Sequence, residues 1–473
     1  MVRKAARMAG GQTAKVMESV RARIDGRSLP AGARLPSVRA EAKASGVSVS
    51  TVVEAYERLV AEGLILSRPG SGFYVAASAA PLILKAVAPR RDRAIDPFWI
   101  SRQSLEAAPG TLMPGCGWLP ADWMFESGLR RALRKIARGD AVDLAEYGSP
   151  LGSERLRALL ARRLLGLAIP AASDRIMLTE SGTQAIDLVC RLLIEPGDAV
   201  LVDDPCYFNF HALLRAHRAR IVGVPYGPDG PDAAAMESVI ARERPRLYIT
   251  NSAIHNPTGA TLSPATAHKV LTLADKARMT IVEDDIFGDF EQEPATRLAA
   301  LDGLDRVICI GSFSKSVSAS VRCGYVAARA DWLDSLIDMK IATSFGGGRM
   351  AAALLLATLS DGAYRRHMED VRRKLGRAMD RTVARLEALG LTVDLRPRAG
   401  MFVWCRLPHG VDAGRIAAQC LGDGIVLAPG NAFSVTGGAS RFMRFNVAQC
   451  GDDRIFASLE RALPAYSGSG AVA

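Results

Sequence analysis

The chain has 473 residues, 49% hydrophobic and 23% charged, a globular composition that excludes a disordered or fibrous polymer. At roughly 100–200 residues per domain it holds two or three domains. Its formal charge is +11; through Arg93 there are 16 basic and 7 acidic residues, while the other 380 carry 44 and 42. Nearly all the excess therefore sits in one short N-terminal segment suited to a polyanion, joined to a near-neutral body.

The opening stretch, MVRKAARMAGGQTAK, is charged and lacks the apolar core of a secretory signal. The longest apolar run, about Ala351–Leu359, is too short to span a bilayer. The eight cysteines (116, 190, 206, 309, 323, 405, 420 and 450) form no CxxC and have no nearby His pair. They read as reduced structural thiols, with no disulfide framework and no metal site. The expectation is a soluble, cytoplasmic protein without a membrane partner.

Residues 12–63 predict three short helices. Val16, Val20 and Ile24 recur on one face of the first, and Gly26 with Leu29-Pro30-Ala31-Gly32 ends it. A second starts near Pro36-Ser37 and closes at Gly46. Ser48 or Ser50 caps a third, whose apolar stripe is Val52, Tyr56, Leu59 and Val60. Leu64–Ser67 and Phe73–Val75, joined through Pro69-Gly70-Ser71-Gly72, predict a hairpin. Three helices and a two-stranded wing make a winged helix-turn-helix, here assigned to residues 12–77. The third helix would enter the major groove, and Arg39, Arg68 and the wing would reach phosphates. Ser37, Ser48, Ser50 and Thr51 supply short polar groups for phosphates or base edges.

Residues 78–95, rich in Ala and Pro and ending in the Arg90-Arg91-Asp92-Arg93 cluster, predict a linker. From 96 to 465 strand-like runs alternate with helical patterns, predicting an α/β domain with a mainly parallel sheet. The candidate strands are Arg175–Leu178, Ala199–Val202, Arg220–Val224, Leu247–Asn251, Thr280–Glu283, Arg306–Ile310 and Tyr325–Ala328. After a long helix, Asp361–Leu389, the runs Thr392–Leu395, Phe402–Arg406 and Phe442–Val447 predict a smaller α+β lobe.

Four segments of this body carry chemistry. They are Glu180-Ser-Gly-Thr-Gln184, Thr250-Asn-Ser-Ala-Ile-His-Asn-Pro-Thr-Gly259, Ile281-Val-Glu-Asp-Asp285 and Ser312-Phe-Ser-Lys315, the last followed by Arg322-Cys-Gly-Tyr325. All fall at carboxyl ends of predicted strands, where open α/β sheets bind ligands. A lysine ending a buried strand is costly to keep charged and so is either paired or chemically used. Together with a strand-end carboxylate, an amide and a small-residue helix N-terminus, it converges on pyridoxal phosphate.

Two resemblances sharpen these readings. Arg34-Leu-Pro-Ser-Val-Arg39, Gly46-Val-Ser-Val-Ser-Thr-Val52, Ala55-Tyr-Glu-Arg-Leu59 and Glu62-Gly-Leu64, ending at Gly70-Ser-Gly72, resemble the GntR family of bacterial repressors over Val16–Val75. One departure is Val49, where this family usually carries an Arg; half-site affinity would then lean on Arg39 and Arg68. From about Leu112 onward the chain resembles fold-type I, class I aminotransferases. That resemblance implies pyridoxal 5'-phosphate as cofactor, Lys315 as the Schiff-base lysine, Asp284 as partner of the ring nitrogen and Asn256 as ligand of the ring oxygen O3′. It also implies a phosphate cradle of Ser181, Gly182, Thr183, Ser312 and Arg322, with Tyr207 stacked on the ring. Tyr147 would reach the neighbouring subunit's phosphate, implying a homodimer, and Arg444 would grip a substrate or effector carboxylate. Two further departures are Ile286 and Phe287, where the family places a Tyr that bonds O3′, and Asn209, where a relative sensing a distal carboxylate uses an Arg.

The order winged helix, linker, aminotransferase-like body resembles the MocR subfamily of GntR regulators. This implies a pyridoxal phosphate-dependent transcriptional regulator that binds promoter DNA as a dimer. It would sense pyridoxal phosphate, or an amino compound through it. The absent Arg and Tyr favour pyridoxal phosphate itself and control of vitamin B6 metabolism. The alternative is an aminotransferase acting between an amino acid and a 2-oxo acid. A third use, the winged helix as a protein-docking module, does not require the N-terminal charge bias.

Overall fold

The computed structural model of the chain describes residues 2–76, 98–139 and 145–463, with side chains from residue 11 onward. The chain divides into two compact units, Met1–Arg91 and Asp92–Ala473. The linker expected at 78–95, with its arginine cluster, lies outside the described residues.

In the first unit, α1 (Val2–Asp25), α2 (Val38–Ser45) and α3 (Val49–Ala61) precede a hairpin of β1 (Ile65–Arg68) and β2 (Gly72–Val75). The first helix begins ten residues earlier than the sequence pattern suggested. Gly46 takes the left-handed conformation (φ 65°) and its N–H bonds back to Ala42, ending α2. Two residues later Ser48 opens α3. Val16 and Val20 of α1 pack with Ala42, Val52, Ala55, Tyr56, Leu59, Ile65 and Val75 in one core. The buried carboxylate of Glu41 is paired with Arg23 at 3.0 Å, tying α2 to α1. The Tyr56 hydroxyl, 3.2 Å from the Pro36 carbonyl, anchors α3 to the approach to α2. The hairpin register places Ile65 opposite Val75 and Arg68 opposite Gly72.

The second unit is built on an eight-stranded sheet. Its strands are β3 (Ile176–Thr179), β4 (Ala199–Asp204), β5 (Arg220–Gly227), β6 (Gly230–Pro231), β7 (Leu247–Thr250), β8 (Thr280–Asp284), β9 (Val307–Ser312) and β10 (Gly324–Ala327), in the order β3-β10-β9-β8-β7-β4-β5-β6. Neighbours from β9 through β5 are parallel, whereas β10 runs antiparallel to both β3 and β9. Alternate residues feed two cores: Leu201, Tyr248, Ile281 and Cys309 on one face, Val200, Ile249, Val282 and Ile308 on the other. Burial on both faces is why these strands read as continuous apolar runs.

A smaller antiparallel sheet of β11 (Phe402–Arg406), β12 (Ala428–Pro429) and β13 (Phe442–Asn446), in the order β11-β13-β12, follows the long helix Gly362–Ala388. The expected strand Thr392–Leu395 is corrected to a single bridge between Thr392 and Arg406. Trp404 lies opposite Arg444 and Phe402 opposite Asn446, so all four share one face. All eight cysteines are free and buried. Among the described residues no helix is long and apolar enough to cross a membrane.

Candidate functional sites

In the N-terminal unit the hydroxyls of Ser37 and Ser48 accept the backbone N–H groups of Ala40 and Thr51, each at 3.2 Å, and so cap α2 and α3. Ser48 Oγ also lies 2.8 Å from the hydroxyls of Ser50 and Thr51. Ser37, Ser48 and Ser50 are exposed, but Thr51 is buried, and its hydroxyl is spent inside the cap. The cations sort into two groups. Arg21, Arg23 and Arg58 are paired with Glu62, Glu41 and Glu54. Lys15, Arg27, Arg34, Arg39, Lys43 and Arg68 stay exposed, with no carboxylate partner among the described residues. Arg68 on the wing lies 4.6 Å over the Tyr74 ring.

In the second unit, β3, β7, β8 and β9 point the same way and bring their carboxyl ends to one edge of the sheet, with the start of β10 between β3 and β9. Gly324 makes that arrangement possible. A Cβ there would lie 2.8 Å from the Ser181 carbonyl carbon, 2.9 Å from the Gly311 oxygen and 3.0 Å from the Gly182 nitrogen. Ser181 caps the helix Gly182–Leu193 by accepting the Gln184 N–H at 3.0 Å. That leaves the Gly182 and Thr183 N–H groups of the first turn without an intrahelical acceptor, a favourable anion site. Ser312 lies alongside: a Cβ on Gly182 would stand 3.6 Å from its own.

The three carboxylates at and just past the end of β8 have different fates. Glu283 accepts the N–H groups of Leu298 and Ala299 at 2.7 and 2.8 Å, capping the helix Leu298–Asp302. Asp285 is held by the Arg297 guanidinium at 3.0 and 3.1 Å. Asp284 alone remains for the site. Burial pushes its carboxyl up to about 6, against the Ile286 N–H donating at 3.2 Å and the charge of Lys315.

Lys315 Nζ makes no hydrogen bond to the described residues and stands 5.8 Å from the Trp118 ring centre. Burial lowers the ammonium to about 8; Cys116 and Asp284 oppose that shift, while Arg444 and Arg322 add to it. Lys340 is a useful contrast. It is fully buried and also lowered to about 8 by burial, but its amine donates to the carbonyls of Pro150 (2.6 Å) and Leu178 (2.8 Å). Lys340 is satisfied, whereas Lys315 is available.

Arg444 is 1% exposed. Its Nη1 donates to Asn256 Oδ1 and its Nη2 to the Gly115 carbonyl, both at 2.7 Å. The guanidinium lies 4.3 Å from the Phe402 ring centre and 4.8 Å from that of Phe433. Its Nε has no hydrogen-bond partner, and no carboxylate pairs with it among the described residues. Burial lowers it to about 10. Because Asn256 Oδ1 is taken by Arg444, the Asn256 amide nitrogen is left to donate. Tyr207 is partly buried; desolvation pushes its phenol up to about 12, and both Arg444 and Asp284 act on it.

Lys315, Asp284, Asn256, Arg444 and Tyr207 thus form one connected group, and Ser181, Gly182 and Ser312 gather beside Gly324. Arg322 is exposed with a left-handed backbone (φ 47°). It lines a cavity of about 1000 Å³ with Thr179, Glu180, Gly148, Ser149 and Arg349. Thr183 is exposed on the first turn of its helix. Tyr147 is not brought to Lys315 in a single chain: it is 77% exposed, with its ring 5.1 Å from that of Phe345. Asn209, Ile286 and Phe287 stand as in the sequence, and Phe287 is packed against Phe402. Sequence reasoning missed the turn Gly115–Trp118. There a Cβ on Gly117 would lie 3.7 Å from Lys315 Nζ, and the Asn446 amide donates to the carbonyls of Cys116 and Trp118. Its only sequence signal was two glycines flanking Cys116.

The arrangement joins an available amine, a buried carboxyl beside it, an anion-binding helix terminus and a buried guanidinium without a counter-ion. Residues 12–75 match the gntR family of bacterial regulatory proteins, and residues 123–461 match aminotransferase class I and II. The chain is 30% identical over 446 residues to the HTH-type transcriptional regulator YdcR of Escherichia coli, covering 92% of this chain and 94% of that one. It is 28% identical over 434 residues to MocR of Rhizobium meliloti, named a probable rhizopine catabolism regulatory protein, covering 88% and 85%. Among solved structures, LysN of Thermus thermophilus is an α-aminoadipate aminotransferase complexed with N-(5'-phosphopyridoxyl)-L-leucine. It matches with a TM-score of 0.69 and 27% identity, over 76% of this chain and 94% of that one.

Proposed function

Since the chain belongs to the MocR subfamily of GntR regulators, a GntR helix-turn-helix followed by a class I aminotransferase domain, we propose that it binds promoter DNA as a homodimer and senses pyridoxal phosphate, or an amino compound through it. The observation that carries the sensing half is Lys315. Its amine, lowered to about 8 beside Asp284, has no hydrogen-bonding task within the described residues.

The donor set fits pyridoxal 5'-phosphate. When bound, that group supplies an aldehyde carbon and an electron-withdrawing ring. Lys315 provides the amine for the carbon, and Asp284 holds the proton on the ring nitrogen. The Asn256 amide donates to the ring oxygen, and Tyr207 covers the ring. Ser181, Gly182, Thr183, Ser312 and Arg322 cradle the phosphate, with Tyr147 supplied by a second copy. Arg444 binds the carboxylate of an effector; its lone Nε and missing counter-ion support that role. Non-donor side chains at Ile286 and Phe287, together with Asn209, favour pyridoxal phosphate itself as the signal and vitamin B6 metabolism as the controlled pathway. Such a protein would act in the cytoplasm.

A second reading, an aminotransferase that carries a DNA-binding arm, is favoured by the joint presence of Lys315, Asp284 and Arg444. Footprinting of the full chain on its own upstream region tests the first reading. Protection is expected, and its extent should change when pyridoxal phosphate is added. Absence of protection in both states overturns it, and steady multiple turnover with an amino acid and a 2-oxo acid would establish the second.

A further inference from the structure

Three large apolar side chains are exposed in the described part of the N-terminal unit, and two of them, Val49 (48%) and Val53 (36%), lie one turn apart on α3. Single exposed apolar residues are ordinary on protein surfaces. This pair is distinguished by its place. Val49 is the first residue after the Ser48 cap, Ser50 beside it is exposed, and residues four apart on a helix hold their Cβ atoms about 5–6 Å from each other. The inward stripe of the same helix, Val52, Ala55, Tyr56 and Leu59, is already filled by the unit's core, so packing within the unit does not explain Val49 and Val53.

The charge of the unit selects the occupant. Arg34, Arg39, Lys43 and Arg68 are exposed without carboxylate partners among the described residues; on α3 itself Glu54 is neutralised by Arg58, and Glu57, one turn beyond Val53, is the exposed acid without a partner. An exposed apolar pair at a helix N-terminus, on a unit that also carries free cations, matches a surface that is polyanionic at its rim and carries methyl groups in its floor. The major groove of duplex DNA is such a surface, because each thymine projects a C5-methyl group there. We infer that Val49 and Val53 read thymine methyl groups, so that this chain selects A·T pairs where α3 enters the groove. The inference rests on the DNA-binding reading above and adds the base class that is read.

The test starts by selecting duplexes from a random library with the full chain. Each thymine in the enriched site is then replaced by deoxyuridine, which removes only the methyl. Replacement at the thymines facing α3 is expected to weaken binding about 4-fold per methyl, the value of burying one such group. In the double variant Val49→Ala, Val53→Ala, both on the exposed flank, the same replacement should have a clearly smaller effect while binding persists. Val49→Arg should shift the enriched sites towards guanine. Enriched sites whose affinity is insensitive to deoxyuridine, or equally sensitive in the double variant, overturn the inference and leave the DNA-binding reading intact. Failure to enrich any duplex overturns both.

Discussion

Lys315 and Lys340 show how one physical effect serves two ends. Burial lowers both ammonium groups to about 8, but two carbonyls absorb the Lys340 amine and none absorbs that of Lys315. A lysine lowered from its ordinary 10.5 costs the folded state most below pH 8, where both states must carry the proton, and nothing above 10.5. Cofactor-free Lys315→Met protein is therefore expected to be more stable than wild type by about 1–3 kcal/mol at pH 7. The difference should fade between pH 8 and 10.5, and paired thermal melts at pH 7 and 10 would show whether it does. Arg444 gives a second residue-scale test. If it grips a ligand carboxylate, an amino acid that perturbs the visible spectrum of the pyridoxal phosphate-loaded protein should require about 10–100-fold more ligand in Arg444→Met. An unchanged titration would remove Arg444 from the effector site.

At the scale of elements, the site depends on how closely β10 passes the Gly182–Leu193 helix. Gly324→Ala would drive a Cβ to 2.8–3.0 Å from the Ser181–Gly182 peptide and from the Gly311 carbonyl, so the helix N-terminus must retreat from Ser312. The expected outcome is a loss of about 1–3 kcal/mol in stability with a larger loss of pyridoxal phosphate affinity, read by melts and by fluorescence titration. Equal small losses in both would contradict a cradle built on that approach. The local signals for these elements were legible in the sequence. Ser37, Gly46 and Ser48 bound their helices as their chemistry dictates, and the apolar runs located β3 through β10 apart from Gly230–Pro231. What was illegible depended on distant partners. The antiparallel direction of β10 leaves no trace in a four-residue apolar run, and the two-residue strands β6 and β12 have no period to detect. Which of Glu283, Asp284 and Asp285 faces Lys315 is decided by Leu298, Ala299 and Arg297, 12 to 16 positions beyond the carboxylates they engage. The buried Lys340 could not be told from a surface lysine, because its acceptors lie 190 and 162 positions away.

For the whole molecule, charge and chemistry are divided between two units. Among the described residues the N-terminal unit pairs some of its cations internally and leaves Lys15, Arg27, Arg34, Arg39, Lys43 and Arg68 free, so the DNA affinity proposed for it should fall steeply and linearly with the logarithm of salt concentration. The C-terminal unit is near neutral yet concentrates an anion site, a buried carboxyl and an unpaired guanidinium at one sheet edge. The ligand proposed for it can regulate the N-terminal unit only through a difference in free energy between two states of the protein. That coupling is measured by the affinity of the full chain for its own upstream DNA with and without pyridoxal phosphate, in wild type and in Lys315→Ala. A change of about 5-fold or more in wild type, absent in Lys315→Ala, is the predicted result. Identical wild-type affinities and footprints in the two states would contradict it.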